Sequence, residues 1–481
     1  MSAAGGTRRR VAAARGGDRE RSQADGTLGE TAHGDSRDAV RAPDAHPDLV
    51  WAQSGAMALT GLADGPPLLA PAPLAARARA LVRTLAERAA APALAAIDGA
   101  TLLGEHAAIF GHVRRGRISP GGRCRLLRAK DRWIAVQLAR PDDLALVPAW
   151  LGEGDTSDPW RFVEQRVATR AAEEVVERAR LLGLPAAVAA DPDEAPPPAV
   201  RVAVRGTPRT PPARPLVVDL SSLWAGPLCA HLLQLAGARV VKVESTRRPD
   251  GARSGPPAFF DLLNAGKQSV ALDFGSADGR AALARLVARA DIVIEASRPR
   301  ALAQLGIDAE ALVANRPGIV WLGLTAYGRP EPEARWVGFG DDAAVAAGLA
   351  VATGSRDAPV FCGDAIADPV AGMHGALAVF DAWRSGGGVL LDVSLRESIA
   401  HVLGLAMPAQ RGRVVRSACG SEVALGDVRE AVSPPRARIP AGPARPLGAD
   451  TAAVFEELAT AEGTSAESRY SAPACDRWEE R

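Results

Sequence analysis

The run Gly363-Asp364-Ala-Ile-Ala-Asp368-Pro369-Val-Ala-Gly372 places two carboxylates four residues apart, directly ahead of an apolar stretch reaching Leu377. A carboxylate can act as a covalent nucleophile toward an activated acyl group. Asp-Pro is also a common way to begin a helix, with Asp as cap and Pro in the first helical position. The two roles are compatible, because the positive end of a helix stabilises the carboxylate as an anion. His374 lies six residues beyond Asp368 on the same expected helix and reads as a packing residue rather than a base.

The elements that must position these groups are visible upstream. Pro215-Leu-Val-Val-Asp-Leu-Ser-Ser-Leu-Trp-Ala-Gly-Pro227 reads as a buried strand over Leu216 to Leu220 and a tight turn at Ala225-Gly226-Pro227. An apolar helix and a second strand over Val240 to Glu244 follow. Strands alternating with helices at this spacing indicate βαβ units and a parallel sheet. In such sheets the ligand crevice lies beyond the carboxyl ends of the strands, where the Ser221 to Pro227 turn falls. That turn is not Gly-x-Gly-x-x-Gly, which disfavours a dinucleotide site. Elsewhere, Ala75 to Ala91 reads as a helix stopped by Pro92, Trp133 to Leu138 as a strand, and Asp158 to Leu184 as mostly helical. Ser385 to Gly388 reads as a helix-to-strand connection.

Composition narrows the partners. The 481 residues carry 57 basic and 56 acidic side chains, with no basic stripe interleaved with aromatics, which argues against nucleic acid. The five cysteines are scattered without ligand spacing, so neither a disulfide framework nor a zinc site is indicated. No apolar run reaches the ~18 residues of a membrane helix. Arg8-Arg9-Arg10 is not followed by an apolar segment of the secretory kind, and the chain reads as cytoplasmic.

Asp219-Leu-Ser with Ala225-Gly-Pro, Val241-Lys-Val-Glu244 and Asn264-Ala-Gly-Lys267-Gln-Ser-Val-Ala-Leu-Asp273 together resemble the class III CoA-transferase family. So do Ala290-Asp-Ile-Val-Ile-Glu295, Gly306-Ile-Asp308, Asn315-Arg-Pro317, Thr325-Ala-Tyr-Gly328 and Asp392-Val-Ser-Leu395. Carnitine-type and formyl-CoA transferases and acyl-CoA racemases share this family. The resemblance implies an α/β fold, with a parallel Rossmann-like sheet and a second, smaller α/β domain built largely from residues 51 to 190. It also implies acyl-CoA and carboxylic acid substrates, no permanently bound cofactor, and interlocked dimers or a pseudo-dimer within one chain. By its pattern of an Asp four residues before a Gly, Asp368 is the nucleophile and Asp364 its competitor. CoA contacts are implied at Trp224, Ala225, Leu272, Asp273, Phe274, Ala296, Ser297, Arg298, Gly338, Phe339 and Gly340. The racemase branch requires His where this chain has Phe339, so proton transfer at the α-carbon is disfavoured and kept as an alternative. Ser245 and Gln304 stand where the family often has basic residues, with Arg247, Arg248, Arg253 and Arg298 close enough to substitute. These departures support a further alternative, a catalytically weakened CoA-thioester-binding member or partner subunit. Lys267 is read either as closing a strand hairpin or as touching ligand.

The order of segments is unusual. Gly55…Thr60-Gly61 echoes Gly348…Thr353-Gly354, and Arg132 to Gln137 with Gly183-Leu-Pro185 resembles the family's smaller domain. The expected organisation is therefore fused or permuted. Residues 1–48 form a disordered extension, 49–190 a partial family-like segment, and 191–214 a Pro-rich linker. Residues 215–405 form the CoA-binding domain, 406–462 a closing segment, and 463–481 a flexible tail.

Overall fold

The computed structural model describes residues 46–297, 299–418 and 420–463. The extension up to position 45, Arg298, Cys419 and the tail from 464 lie outside them.

Three short strands, β1 (Cys124–Arg128), β2 (Trp133–Gln137) and β3 (Ala186–Val188), pair antiparallel in that order. Helices Pro159–Val167 and Ala172–Leu181 cover this sheet, and the first is capped by Asp158, whose side chain accepts from the Arg161 amide. Trp150 is fully buried here, and its indole N–H donates to the Val175 carbonyl at 2.9 Å.

The main sheet has seven strands. β4 (Arg201–Arg205) is an antiparallel edge strand lying inside the span read as a linker. It is followed by β5 (Leu216–Asp219), β6 (Arg239–Ser245), β7 (Gln268–Leu272), β8 (Ile292–Glu295), β9 (Val320–Thr325) and β10 (Val389–Ser394). These six run parallel, and the spatial order is β4-β10-β9-β8-β5-β6-β7. Successive strand residues point to opposite faces, so Val217 and Val218, or Ile292 and Val293, enter different cores. Both faces are covered by helices, which is why the strands read as continuous apolar runs. A meander of β11 (Arg413–Ser417), β12 (Gly420–Leu425) and β13 (Val428–Ala431) completes the strands.

Two sequence expectations are revised. The helix after β5 begins at Ala225, so Ala225-Gly226-Pro227 forms its first turn and the bend lies before it, at Leu223 with φ 70°. The second concerns the N-terminal region. Its helices, including Leu74–Ala89, share the core of one face of the large sheet, whereas residues 127–186 form a separate core, and Cys124, Leu126 and Ala135 pack against Val345, Ala350 and Phe361. The internal echo has matching local geometry. Gly55 and Gly348 both have positive φ (77° and 93°), a conformation open to glycine. The hydroxyls of Thr60 and Thr353 then donate to the carbonyls four residues back. Among the described residues no helix is long and apolar enough to cross a membrane.

Beyond the end of β5, Asp219 is fully buried and accepts from Lys267 Nζ at 2.9 Å and from the Ser221 hydroxyl. Lys242, also buried, donates to the Ser221 carbonyl and pairs with Asp250, both at 2.9 Å. Burial favours the neutral acid, but the charges of Lys267 and Lys242 outweigh it and hold Asp219 below the usual carboxylate range. The hairpin reading of Lys267 is corrected: β7 pairs with β6 in parallel, and Lys267, buried just before β7, reaches across β6 to the end of β5. Removing one member of such a cluster strands a buried charge. Asp219→Ala is expected to lower unfolding stability by about 3–5 kcal/mol in urea titration, and unchanged stability would contradict this role.

Candidate active site

The sheet reverses its build direction between β5 and β8: β6 and β7 extend it one way, β9 and β10 the other. A crevice forms outside the carboxyl ends of strands at such a reversal. Trp224 and Ala225 follow β5, and Ala296 and Ser297 follow β8, so these four stand on the two sides of the reversal. Leu272, Asp273 and Phe274 close β7 on the same edge, with Asp273 paired to Arg247 at 3.0 Å.

Helix Ala367–Arg384 links β9 to β10 across this edge and carries Asp368 in its first turn. Asp368 is partly accessible as a residue, but its carboxyl end is enclosed. That carboxyl accepts from the backbone amides of Ala225 and Gly340, each the first residue of its own helix. The approach depends on missing side chains. A Cβ on Gly372 would meet the Ala225 carbonyl oxygen at 2.6 Å, and one on Gly340 would overlap the Asp368 carboxylate. Of the expected CoA-contact residues, Ala225 and Gly340 are thus brought to Asp368, with Gly338 and Phe339 leading into the Gly340 helix.

The surroundings are strongly acidic. Asp341 and Asp342, in the first turn of helix Gly340–Ala346, are buried. Asp342 accepts from the Tyr327 hydroxyl and the Phe339 amide, and Asp341 from the Ala365 amide at 2.9 Å. Burial raises Asp368, helped by the negative charges of Asp342 and Asp364, and its pKa reaches about 7. Burial likewise pushes Asp341 to about 8, with Asp364 contributing, and Asp342 to about 6. Asp364 goes the other way. Burial disfavours its anion, but hydrogen bonds from two imidazoles prevail and hold it at about 2. These are His106 Nδ1 at 2.7 Å and His112 Nδ1 at 3.0 Å, both on Asp364 Oδ2.

The sequence reading missed these two histidines. They lie more than 250 positions from Asp364, and a His-x5-His spacing spanning a helix end matches no familiar ligand pattern. The available signal was local: His106, Phe110 and His112 cluster in a short aromatic stretch. In the structure they pack with Trp224 and Phe259; the His106 and Trp224 rings stack at 5.0 Å. His374 is buried, its Nδ1 on the Val370 carbonyl and its pKa pushed by burial down to about 3, in keeping with a packing role. Arg253, one of the substitute cations, is committed to Glu244 through two hydrogen bonds at 2.8 and 2.6 Å.

Fold and site together define a doubly wound α/β protein with a carboxylate held on helix N-termini at its sheet reversal. Residues 215–426 match the family described as CoA-transferase family III. The chain is 34% identical over 207 residues to an acyl-CoA transferase of Fusarium pseudograminearum, covering 39% of this chain and 45% of that one. It is 30% identical over 213 residues to the succinyl-CoA–D-citramalate CoA-transferase of Chloroflexus aurantiacus, covering 41% and 53%. The chain thus spans about half the length of the curated relatives it matches. A CaiB/BaiF family protein from Brucella suis has a solved structure with 27% identity and a TM-score of 0.39, covering 45% of this chain and 66% of that one.

The buried carboxylates give a stability prediction. In the unfolded chain they lose protons near 4, whereas Asp342, Asp368 and Asp341 keep theirs to about 6, 7 and 8. Between those limits the folded state binds more protons, so stability falls as pH rises. Buried His231 and His374, kept neutral down to about 3, oppose this below the ordinary histidine range. The urea midpoint is therefore expected to decline from about pH 6.5 to pH 8, and Asp341→Asn should flatten that decline. A midpoint rising with pH across that window would refute the assignment.

Proposed function

We propose that this protein transfers CoA from an acyl-CoA thioester to a carboxylic acid, with Asp368 as the covalent nucleophile. The observation that carries the reading is the enclosed Asp368 carboxyl, held by two backbone amides beside the crevice of a segment that matches CoA-transferase family III. Relatives named as acyl-CoA and succinyl-CoA transferases support the class of substrate.

In the proposed sequence an Asp368 oxygen attacks the thioester carbonyl, and the carbon–sulfur bond breaks to release CoA thiolate. The thiolate attacks the aspartyl carbonyl of the resulting mixed anhydride and frees the donor carboxylate, leaving an aspartyl thioester. The acceptor carboxylate attacks that thioester and releases CoA thiolate once more. Attack of the thiolate on the acceptor's acyl carbon then yields the new acyl-CoA and restores Asp368. Each addition places negative charge on a carbonyl oxygen, which amides at helix starts are suited to stabilise. CoA contacts are assigned to Trp224, Ala225, Gly338, Phe339 and Gly340, and along the strand ends to Leu272, Asp273, Phe274, Ala296 and Ser297. Phe339 cannot move a proton, which favours transfer over racemisation.

Incubation with an acyl-CoA and hydroxylamine, read by intact mass and peptide mapping, is expected to mark Asp368. Asp368→Ala should abolish the mark, and Gly340→Ala should slow capture by about 10²–10³-fold. The nucleophile must be ionised, so capture should rise with pH through about 7 and level off above. CoA binding without covalent capture at any pH would instead establish a binding module, and loss of α-carbon label in deuterated water would establish a racemase.

A further inference from the structure

We propose that His106, His112 and Asp364 form a site for a divalent transition-metal ion, zinc being the best match to its donor set. The proposal is independent of the transferase reading.

Three donor atoms from distant parts of the chain converge on one point. His106 Nδ1 and His112 Nδ1 lie 2.7 and 3.0 Å from the same oxygen of Asp364, and the three donors fall within 4.8 Å of one another. A carboxylate needing only a hydrogen bond is satisfied by one imidazole. Two rings presenting the same nitrogen to the same oxygen make a tripod. Two imidazoles and one carboxylate, with a fourth position left for water, is a recognised zinc ligand set. Tetrahedral ligands on bonds of about 2.0–2.2 Å stand roughly 3.3 Å apart, so each nitrogen need draw back from the oxygen by only a few tenths of an ångström. The two nitrogens, within 4.8 Å of each other, settle at the same spacing.

The surroundings suit an ion. Asp364 is 2% exposed and ionised, and the groups holding it are imidazoles rather than a guanidinium or ammonium. The rings are 20% and 17% exposed, which gives an ion a way in from solvent. His106 is fixed in orientation between Trp224, Phe110 and Phe259. Gly121 leaves room beside the cluster, since a Cβ there would meet His112 Cε1 at 3.1 Å and Asp364 Oδ1 at 3.8 Å. Binding needs no oxidant or further reactant. In a neutral ring the Nδ1 proton moves to Nε2 through solvent, freeing the lone pair that faces the carboxylate.

The test uses the full chain with Zn2+ in titration calorimetry and Co2+ in visible absorption. One equivalent is expected to bind, with the intense d–d bands of a four-coordinate Co2+ ion. His106→Ala and His112→Ala should each weaken binding at least about 10-fold, and the double variant should lose the bands. Asp364→Asn keeps the side-chain shape and should also weaken Zn2+ binding. The unfolding temperature of the wild-type chain should rise with Zn2+, and that of the double variant should not. This comparison holds even if the variants are less stable at the outset. No stoichiometric uptake at micromolar ion, or equal affinity in wild type and the double variant, would overturn the proposal.

Discussion

The site depends on a steric constraint: one helix presents glycines where the start of another presses against it. Gly372 lies against the Ala225 carbonyl, and Gly375 faces Leu322 and Cys229 one turn further along. Contact this close sets the start of helix Ala225–Leu235 beside the first turn of helix Ala367–Arg384. A bulkier residue at either glycine would push the Ala225 amide away from Asp368, and the carboxyl would lose one of its two donors. Gly340 applies the same constraint from the other side. The spacing of an Asp four residues before a Gly is thus a packing requirement as much as a chemical one.

Gathering carboxylates so tightly has a cost, and the fold meets it unevenly. Asp219 is matched by buried lysines and stays charged. Asp364 is matched by imidazoles and also stays charged. Asp341, Asp342 and Asp368 have hydrogen bonds but no buried cation of that strength, so their protons are held to higher pH. Neighbouring acids are thereby driven apart in acidity, with Asp364 a permanent anion and Asp368 balanced near neutrality. The negative charge on Asp364 contributes to that balance.

Much of the large sheet was legible. Apolar runs such as Leu216 to Leu220 and Val240 to Glu244 were long enough for strands, and their spacing left room for a crossover helix. Asp368 was legible through the glycine at Gly372, but not as a cap: the helix begins at Ala367 after Ile366, and Asp368 lies inside its first turn. The edge strand Arg201–Arg205 was not, because it is mostly exposed and embedded in proline-rich sequence, which obscures periodicity. The placement of the N-terminal helices was hidden for a different reason. An amphipathic helix such as Leu74–Ala89 shows that it has a partner without saying which, and its partner lies almost 300 positions later. His106 and His112 were invisible on the same ground: nothing local reveals that they meet Asp364.

That long-range pairing bears on how the molecule is made. The earliest helices among the described residues, from Pro47 to Phe110, bury their apolar faces against strands and helices translated hundreds of residues later. Until then the nascent chain must carry an unmatched greasy surface, and even the segment from Cys124 to Val188, which closes one core alone, waits for Val345 and Phe361 to cover Leu126 and Ala135. The early helices and the late segment that carries Asp364 and Asp368 must therefore meet before the site exists at all.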